Sequence, residues 1–519
     1  MTFPSRLRKR RASRSTPDTT DAPIAGAPVV EILRKRRRKR RRILFALIAI
    51  SLLLVSPFAI SQWRIYRSNL KVTDQNWPRL AALGKSDRLL IISPHCDDET
   101  LGAGGTITKA RKNGVRVRVV FITNGDGSLA TQYVQRACEW KAKLKGEMLA
   151  DKSDNLFQRI AAMRQRETLA ACAKLGVSKN DVIFLGYPDG GTRAMWETNW
   201  SNSTPFQSKT TGSSRSPYAN SFTPNAEYSG AQVVRDLEKI FRQFQPTYLM
   251  TTHPEDTHPD HWAAYAYSSA ALEKLRLDSS TQAWAKRAQL LGFLVHHGIW
   301  PTPNGFHPEK NLFPPASLVK SDSRWLIENL SPENVAAKTA ALESYPSQLA
   351  TTPRFLRAFV RQNELFGALD NSENVSDPPS DSVWSEAWRA ADIQSLTMET
   401  VAGVLQLQTI LAGAPSSRLR YEFSIHVITP VKIVAWKIDA RRIGNNTQAN
   451  LTNLDPTSAS RSTLKSNLIP SGFNIQLPRE ILGANSKNST ILISAATFAG
   501  DNRLDQTATR IMKFGSGLK

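Results

Sequence analysis

From residue 87 onward, short unbroken apolar runs alternate with longer segments whose apolar positions recur every three or four residues. "DRLLIIS" (87–93) has strand length, "TLGAGGTITKARKNG" (100–114) reads as a glycine-rich helix closed by Gly114, and "VRVRVVFITNG" (115–125) is a second strand. Two more rounds follow. "RIAAMRQRETLAACAKLG" (159–176) precedes "DVIFLGYPDGG" (181–191), and "GAQVVRDLEKIFRQFQ" (230–245) precedes "PTYLMTTH" (246–253). Strands separated by a whole helix pair in parallel through crossovers. The pattern predicts a Rossmann-like α/β domain, a mostly parallel sheet flanked by helices, over residues 64–371.

Two stretches interrupt the alternation. Residues 129–157 are charged and expected to be partly helical, and residues 194–228 are rich in Ser, Thr and Asn with interspersed aromatics. The second reads as a substrate-facing loop, since loops of that length in a compact domain are often functional. "SENVSDPPSDS" (372–382) reads as a linker. Beyond it, "VLQLQTIL", "RLRYEFSIHVI", "VKIVAWKID", "FNIQLP" and "TILISAATF" are strand-like runs divided by Gly, Pro, Asn and Ser. A β-sandwich over 383–519 follows, which could bind carbohydrate or pack against its neighbour.

Composition changes the picture at the N-terminus. The chain has 519 residues and a formal net charge of +24, but residues 1–42 hold 15 Lys and Arg against Asp18, Asp21 and Glu31, a net of +12. Half the excess is therefore a tail. It contains "RKRRRKRRR" (34–42) and abuts the uncharged "ILFALIAISLLLVSPFAI" (43–60). Eighteen such residues suffice for a transmembrane helix, and basic residues on one side keep that side cytoplasmic. The expectation is a basic cytoplasmic tail, a signal anchor at 43–60, and an extracytoplasmic remainder. A cleaved signal peptide is the alternative, and no specific nucleic-acid partner is expected. Three cysteines (Cys96, Cys138 and Cys172) without a CxxC spacing exclude a disulfide-built ectodomain.

Candidate chemistry lies at two strand ends. "PHCDDE" (94–99) follows the first strand and "THPEDTHPDHW" (252–262) follows the fourth; together they hold four of the eight histidines. In open α/β sheets ligands bind beyond the carboxyl ends of strands. An acidic turn alone would be read as a helix cap, but capping does not require His95. Pro254 and Pro259 argue for a loop through the second cluster. One His and one Asp from the first motif with one His from the second make a three-ligand N/O set with a fourth position open, the make-up of a catalytic zinc site.

These motifs resemble the paired signatures of the PIG-L/LmbE-like family of zinc-dependent N-acetylglucosaminyl de-N-acetylases. The resemblance extends through "ITNGDG", "RQRETLAACAKLGV", "FLGYPDGG", "HHGIWPTPNG" and "KTAALESYPSQ", roughly residues 86–368, with Cys96 departing from the usual Pro or Ala. It implies His95, Asp98 and His261 as ligands of one divalent metal per chain, zinc favoured and iron open. It also implies Asp97 as general base, His258 as general acid or electrostatic stabiliser with Asp260 orienting it, and Arg164 and Asp189 as sugar contacts. Solvated-surface and turn roles stay open for the last two. The implied reaction removes an acetyl group from an N-acetylglucosamine-type sugar in an envelope glycan, glycolipid or glycoside. Hydrolysis of another amide and a non-catalytic glycan-binding membrane protein are the rival readings.

Overall fold

The computed structural model describes residues 59–128, 155–369, 374–378, 388–401, 404–455, 461–478 and 489–512, with Arg37 and Lys39 upstream. Its first sheet has seven strands: β1 Arg88–Ser93, β2 Arg116–Thr123, β3 Val182–Tyr187, β4 Tyr248–Thr252, β5 Gln289–Phe293, β6 Ser323–Asn329 and β7 Asn363–Leu369. Their order is β3-β2-β1-β4-β5-β7-β6. The five strands from β3 to β5 are parallel, and β7 and β6 close the edge in antiparallel fashion. Chain direction reverses its drift across the sheet between β1 and β4, so the two motifs that follow these strands face one crevice although some 160 residues separate them.

The flanking helices are α1 Asp98–Lys112, α2 Leu156–Lys174, α3 Thr192–Glu197, α4 Gly230–Phe244, α5 Pro259–Leu277 and α6 Pro332–Leu342. Successive β1 residues point to opposite faces and both faces are buried. Leu89 and Ile91 pack with Leu101 and Ile107 of α1, Ala171 of α2 and Leu342 of α6. Leu90 and Ile92 pack with Val233, Leu237 and Phe241 of α4 and Ala263 and Ala266 of α5. That is why β1 reads as a continuous apolar run rather than an alternating one.

One expectation changes here. The second motif is a loop only to His258; α5 begins at Pro259, with His258 as its N-cap. Proline lacks an N–H that the first turn of a helix leaves unbonded anyway, so Pro259 starts the helix instead of breaking it.

The C-terminal strands form the expected sandwich. Strands β8 Asn374–Ser376, β9 Ile393–Val401, β10 Val404–Leu411, β15 Ser466–Ile469 and β16 Gly472–Leu477 make one antiparallel sheet. Strands β11 Arg420–Ile428, β12 Ile433–Ile443, β13 Asn446–Asn453, β14 Arg461–Leu464, β17 Thr490–Ala499, β18 Asn502–Gln506 and β19 Arg510–Met512 make the other. Their inner faces share a core that includes Leu396, Leu407, Phe423, Ile438, Phe473 and Ile493. Part of the stretch read as linker is ordered, since β8 pairs with β9. Ile428, Ala435 and Leu492 of the sandwich join the α4/α5 core, and both layers belong to one compact unit from Ile65 onward.

The basic tail apart from Arg37 and Lys39, and the expected span apart from Ala59 and Ile60, lie outside the described residues, as do residues 129–154. Among the described residues no helix is long and apolar enough to cross a membrane.

Candidate active site

The first motif is built by a sharp turn. Asp97 has φ 146°, a conformation that L-residues rarely adopt, and its carbonyl accepts from Thr100 N and Leu101 N as α1 begins. The turn folds Asp98 back on its own strand end, where Asp98 Oδ2 accepts from His95 N at 3.0 Å. In the second motif, Thr252 Oγ1 donates to His261 O at 2.7 Å and fixes the first turn of α5 against the end of β4.

Three donor atoms converge where the motifs meet. His95 Nδ1 lies 3.2 Å from Asp98 Oδ2 and 3.1 Å from His261 Nε2, and His261 Nε2 lies 3.1 Å from Asp98 Oδ2. The outer ring nitrogens are held by carboxylates. Asp260 Oδ2 and Asp189 Oδ1 lie 3.2 and 3.3 Å from His95 Nε2, and Asp256 Oδ2 lies 3.0 Å from His261 Nδ1. Those partners assign the N–H to the outer positions, which leaves lone pairs on the two inner nitrogens facing each other and a carboxylate. Burial disfavours charge on both rings, yet without an ion the surrounding carboxylates raise them, so protons take the place that a cation would hold. Ligands ~2.0–2.1 Å from a tetrahedral zinc lie ~3.3 Å apart, so the triangle fits such an ion with a fourth face open. His258 offers a further nitrogen in a looser grouping with His95 and His261, whose atoms fall within 4.8 Å.

The charge balance agrees. Asp97, Asp98, Asp189, Asp256 and Asp260 surround these rings, and all but Asp189 are buried. Burial disfavours charge on His261, yet the carboxylates of Asp256 and Asp98 outweigh it and lift the ring to about 9. Burial would also raise Asp98, but His261 and His95 hold it well below the usual carboxylate range. Buried carboxylates in this number call for cationic charge, which a divalent ion supplies.

The remaining expected residues fall around the triangle. Asp97 lines a cleft of ≈ 710 Å³ together with His95, Asp98, Arg164, Asp189 and His258. Burial pushes the Asp97 carboxyl up to about 7, Arg164 opposing the rise and Asp98 adding to it. Arg164 is buried, and its guanidinium donates to Cys96 O at 2.6 Å, Gly125 O at 3.0 Å and Asp97 Oδ1 at 3.3 Å. Nη1 and Nη2 thus bind the turn and its carboxylate, while Nε has no hydrogen-bond partner among the described residues. Asp260 turns its side chain away from His258: besides His95 it accepts from Gly190 N at 2.7 Å and from Thr192 N at 3.1 Å, which ties α5 to the turn after β3. Asp189 accepts from Gly127 N at 2.9 Å as well as facing His95.

His258 sits edge-on to His95, with ring centroids 4.7 Å apart. Its Nδ1 accepts from Asp260 N at 3.2 Å, so the neutral ring carries its hydrogen on Nε2. Burial and the neighbouring His95 and His261 push it down to about 3, which keeps it neutral.

Several contributors had no role in the sequence reading. Asp256 gathers four donors, His261 Nδ1, Val295 N, His296 N and His258 N. His296 lines the cleft and stacks on Phe355 at 5.3 Å. Its sequence signal is the "HH" at 296–297, directly after the apolar run "LLGFLV" (290–295). Phe206, Lys209 and Thr210 of the Ser/Thr-rich loop also line the cleft, facing a wall of Gln348, Thr352 and Phe355.

Residues 90–272 match the family model described as PIG-L, GlcNAc-PI de-N-acetylase. Among curated proteins, the chain is 34% identical over 195 residues to 1D-myo-inositol 2-acetamido-2-deoxy-alpha-D-glucopyranoside deacetylase 1 of Saccharopolyspora erythraea, covering 36% of this chain and 54% of that one. It is 27% identical over 278 residues to the deacetylase from Mycobacterium sp. (strain JLS), covering 51% and 75%. The chain thus spans about half the length of the first of these relatives. A solved structure that overlays in part is N,N'-diacetylchitobiose deacetylase from Pyrococcus horikoshii, with 19% identity, 54% of this chain and 82% of that one covered, and a TM-score of 0.31.

Proposed function

The chain carries a PIG-L family domain at residues 90–272, and from that premise we propose that the protein is a metal-dependent hydrolase that removes the N-acetyl group from an N-acetylglucosamine-type sugar. The observation that carries the reading is the triangle of His95 Nδ1, Asp98 Oδ2 and His261 Nε2 beside the Asp97 carboxylate in one cleft. The names of the relatives support the acetamido sugar. A zinc ion held by His95, Asp98 and His261 would supply Lewis acidity toward the amide oxygen and lower the pKa of water beside it.

The chain's own residues account for the proton traffic. Asp97, oriented by Arg164, takes a proton from the water that attacks the acetyl carbonyl and returns it to the departing nitrogen. A carboxyl poised near neutrality suits both transfers. Neutral His258 donates from Nε2 to the oxygen that gains charge, so it serves as the electrostatic stabiliser of the two roles open to it. The C–N bond breaks, and acetate and a free amine leave. The aromatic walls at Phe206 and Phe355 suit the apolar face of a sugar ring.

The test compares neighbouring carboxylates. Asp97→Asn is expected to keep zinc and lose ~10²–10⁴-fold in kcat. Asp98→Asn is expected to lower zinc occupancy and to recover in part with excess zinc, and His258→Ala to keep zinc while losing turnover. An Asp97→Asn chain that loses zinc, or that releases acetate at the parent rate, overturns the assignment. The arginine run and the apolar span at residues 34–60 support a further proposal, that this chemistry occurs on the outer side of a membrane. Protease added to intact cells should then cut the catalytic domain, and complete protection would count against that location.

A further inference from the structure

The sandwich meets the α/β layer through polar contacts that are buried or half-buried at the junction. Trp262, next to the ligand His261, donates from Nε1 to Thr507 O at 3.0 Å, and Arg503 pairs with Glu197 of α3 at 2.6 Å. A third contact reaches the metal loop itself. Arg510, the first residue of β19, donates from Nη2 to Glu255 Oε1 at 2.9 Å, with both side chains only 4% exposed.

Glu255 is clamped on every side. Its N donates to His253 Nδ1 at 3.2 Å, and its carbonyl lies 3.2 Å from His297 Nδ1. The next residue is Asp256, whose carboxylate holds the His261 ring. Arg510 is the cation beside the Glu255 carboxylate, and its Nε and Nη1 have no other hydrogen-bond partner among the described residues. The pairing is therefore one to one. On the sandwich side Arg510 stands opposite Ile493 of β17, one residue from Leu492, which is packed into the α4/α5 core. A rigid sheet thus delivers one charge to one loop position.

We propose that the C-terminal sandwich is a positioning element of the active centre, and that Arg510 is the residue through which it acts. By neutralising and holding Glu255 it sets Asp256, and through Asp256 the ring of His261. A loop carrying an uncompensated buried carboxylate would move to solvate it. The inference rests on the metal site proposed above.

The experiment measures zinc affinity of the apo chain by competition with a chromogenic chelator, together with kcat, KM and thermal midpoint. Arg510→Met is expected to weaken zinc binding about tenfold or more, the range for residues that orient a ligand from behind, and to lower kcat with little change in KM. Arg510→Lys should restore part of both. If Arg510→Met does not fold, the double variant Glu255→Gln with Arg510→Met carries the test, because it leaves no charge buried alone; it should fold and still bind zinc weakly. Ile428→Ala, a cavity in the same junction away from the loop, should lower the midpoint and keep the parent zinc affinity. Zinc binding within twofold of the parent in Arg510→Met or in the double variant, or an equal loss in Ile428→Ala, overturns the proposal. A parent chain that binds no zinc removes the metal-site reading and this inference with it.

Discussion

Arg164 offers the sharpest division between two accounts of the cleft, a sugar contact or a tether for the base. Arg164→Met removes a guanidinium with contacts of 2.6, 3.0 and 3.3 Å to Cys96 O, Gly125 O and Asp97 Oδ1. Hydrogen bonds from a charged group contribute ~1.5–3 kcal/mol each. Breaking a buried charge pair from one side costs ~3–5 kcal/mol, so a fall in unfolding free energy of that size is expected. Gly125 provides a second route to the same displacement. Its φ is +64°, and a Cβ there would sit 1.9 Å from Arg164 Nη1, so Gly125→Ala pushes the guanidinium away with every charge retained. In both variants Asp97 loses its tether. A misplacement of about 1 Å can cost ~10²-fold in rate, which is ~2.7 kcal/mol of barrier. That loss should fall on kcat, with KM within a few-fold of the parent, because every hydrogen bond the guanidinium makes goes to backbone or base. Acetate-release kinetics at saturating zinc and a thermal melt measure both effects. A KM raised tenfold or more with kcat unchanged would mean that Arg164 reads the sugar, and the tether argument would fail.

Other predictions follow from the packing around the site. Asp256→Asn should weaken zinc binding ~10–100-fold, since one oxygen orients His261 and also holds two backbone N–H groups; an unchanged affinity in chelator competition would speak against the triangle. Gly102→Ala reverses the usual sign: a helix-interior Gly→Ala change normally gains ~0.5–1 kcal/mol, but here the Cβ would lie 2.0 Å from Phe293 Cδ2, so a net loss of ~1–2 kcal/mol is expected in denaturant melts. Burial would raise the Glu197 carboxyl, but Arg193 and Arg503 outweigh it and hold it below the ordinary range. Its contribution to stability is therefore present above the unfolded value of ~4.3 and lost as pH falls through the folded one. Glu197→Gln should melt lower at pH 7 and show a flatter dependence below about pH 5; parallel curves for parent and variant would refute the linkage.

How far the sequence foretold this arrangement varies with the range of the interaction. The strands before both motifs were legible because buried parallel strands are continuous apolar runs, and both motifs stand where those runs stop. Strands β5 to β7 were not separated, because β7 pairs antiparallel with β6 and β5 at the sheet edge, over distances that no local period reveals. The start of α5 was misread because a proline is informative only once its position within a helical turn is known. The resemblance implies Asp260 as the residue that orients His258; its backbone N does meet His258 Nδ1, yet the first turn of α5 sends its carboxylate to the backbone of Gly190 and Thr192, about 70 residues away. Arg164 and Asp256 follow the same rule. Residue types can be read from the chain, but the partner that spends a hydrogen bond is decided by the fold.

One feature of both motifs becomes intelligible only with the helices in place. α1 begins at Asp98 and α5 at Pro259, so the proposed ligands His95, Asp98 and His261 all lie within a turn or so of two helix N-termini. Each such terminus carries roughly half a positive charge. Two of them aimed at one crevice attract an anion and repel a cation, so a metal site built there needs a surplus of carboxylate to reverse the local field. The Asp-rich wording of both motifs supplies it. Asp98 serves the triangle directly, and Asp256, Asp260 and Asp189 serve it through the outer nitrogens of the two rings. The same termini favour the negative charge that develops on the amide oxygen during attack. In the proposed reaction, carboxylates around the cation and helix ends around the oxyanion would therefore do different work in one small volume, an electrostatic reason for placing such chemistry at the point where strand order reverses.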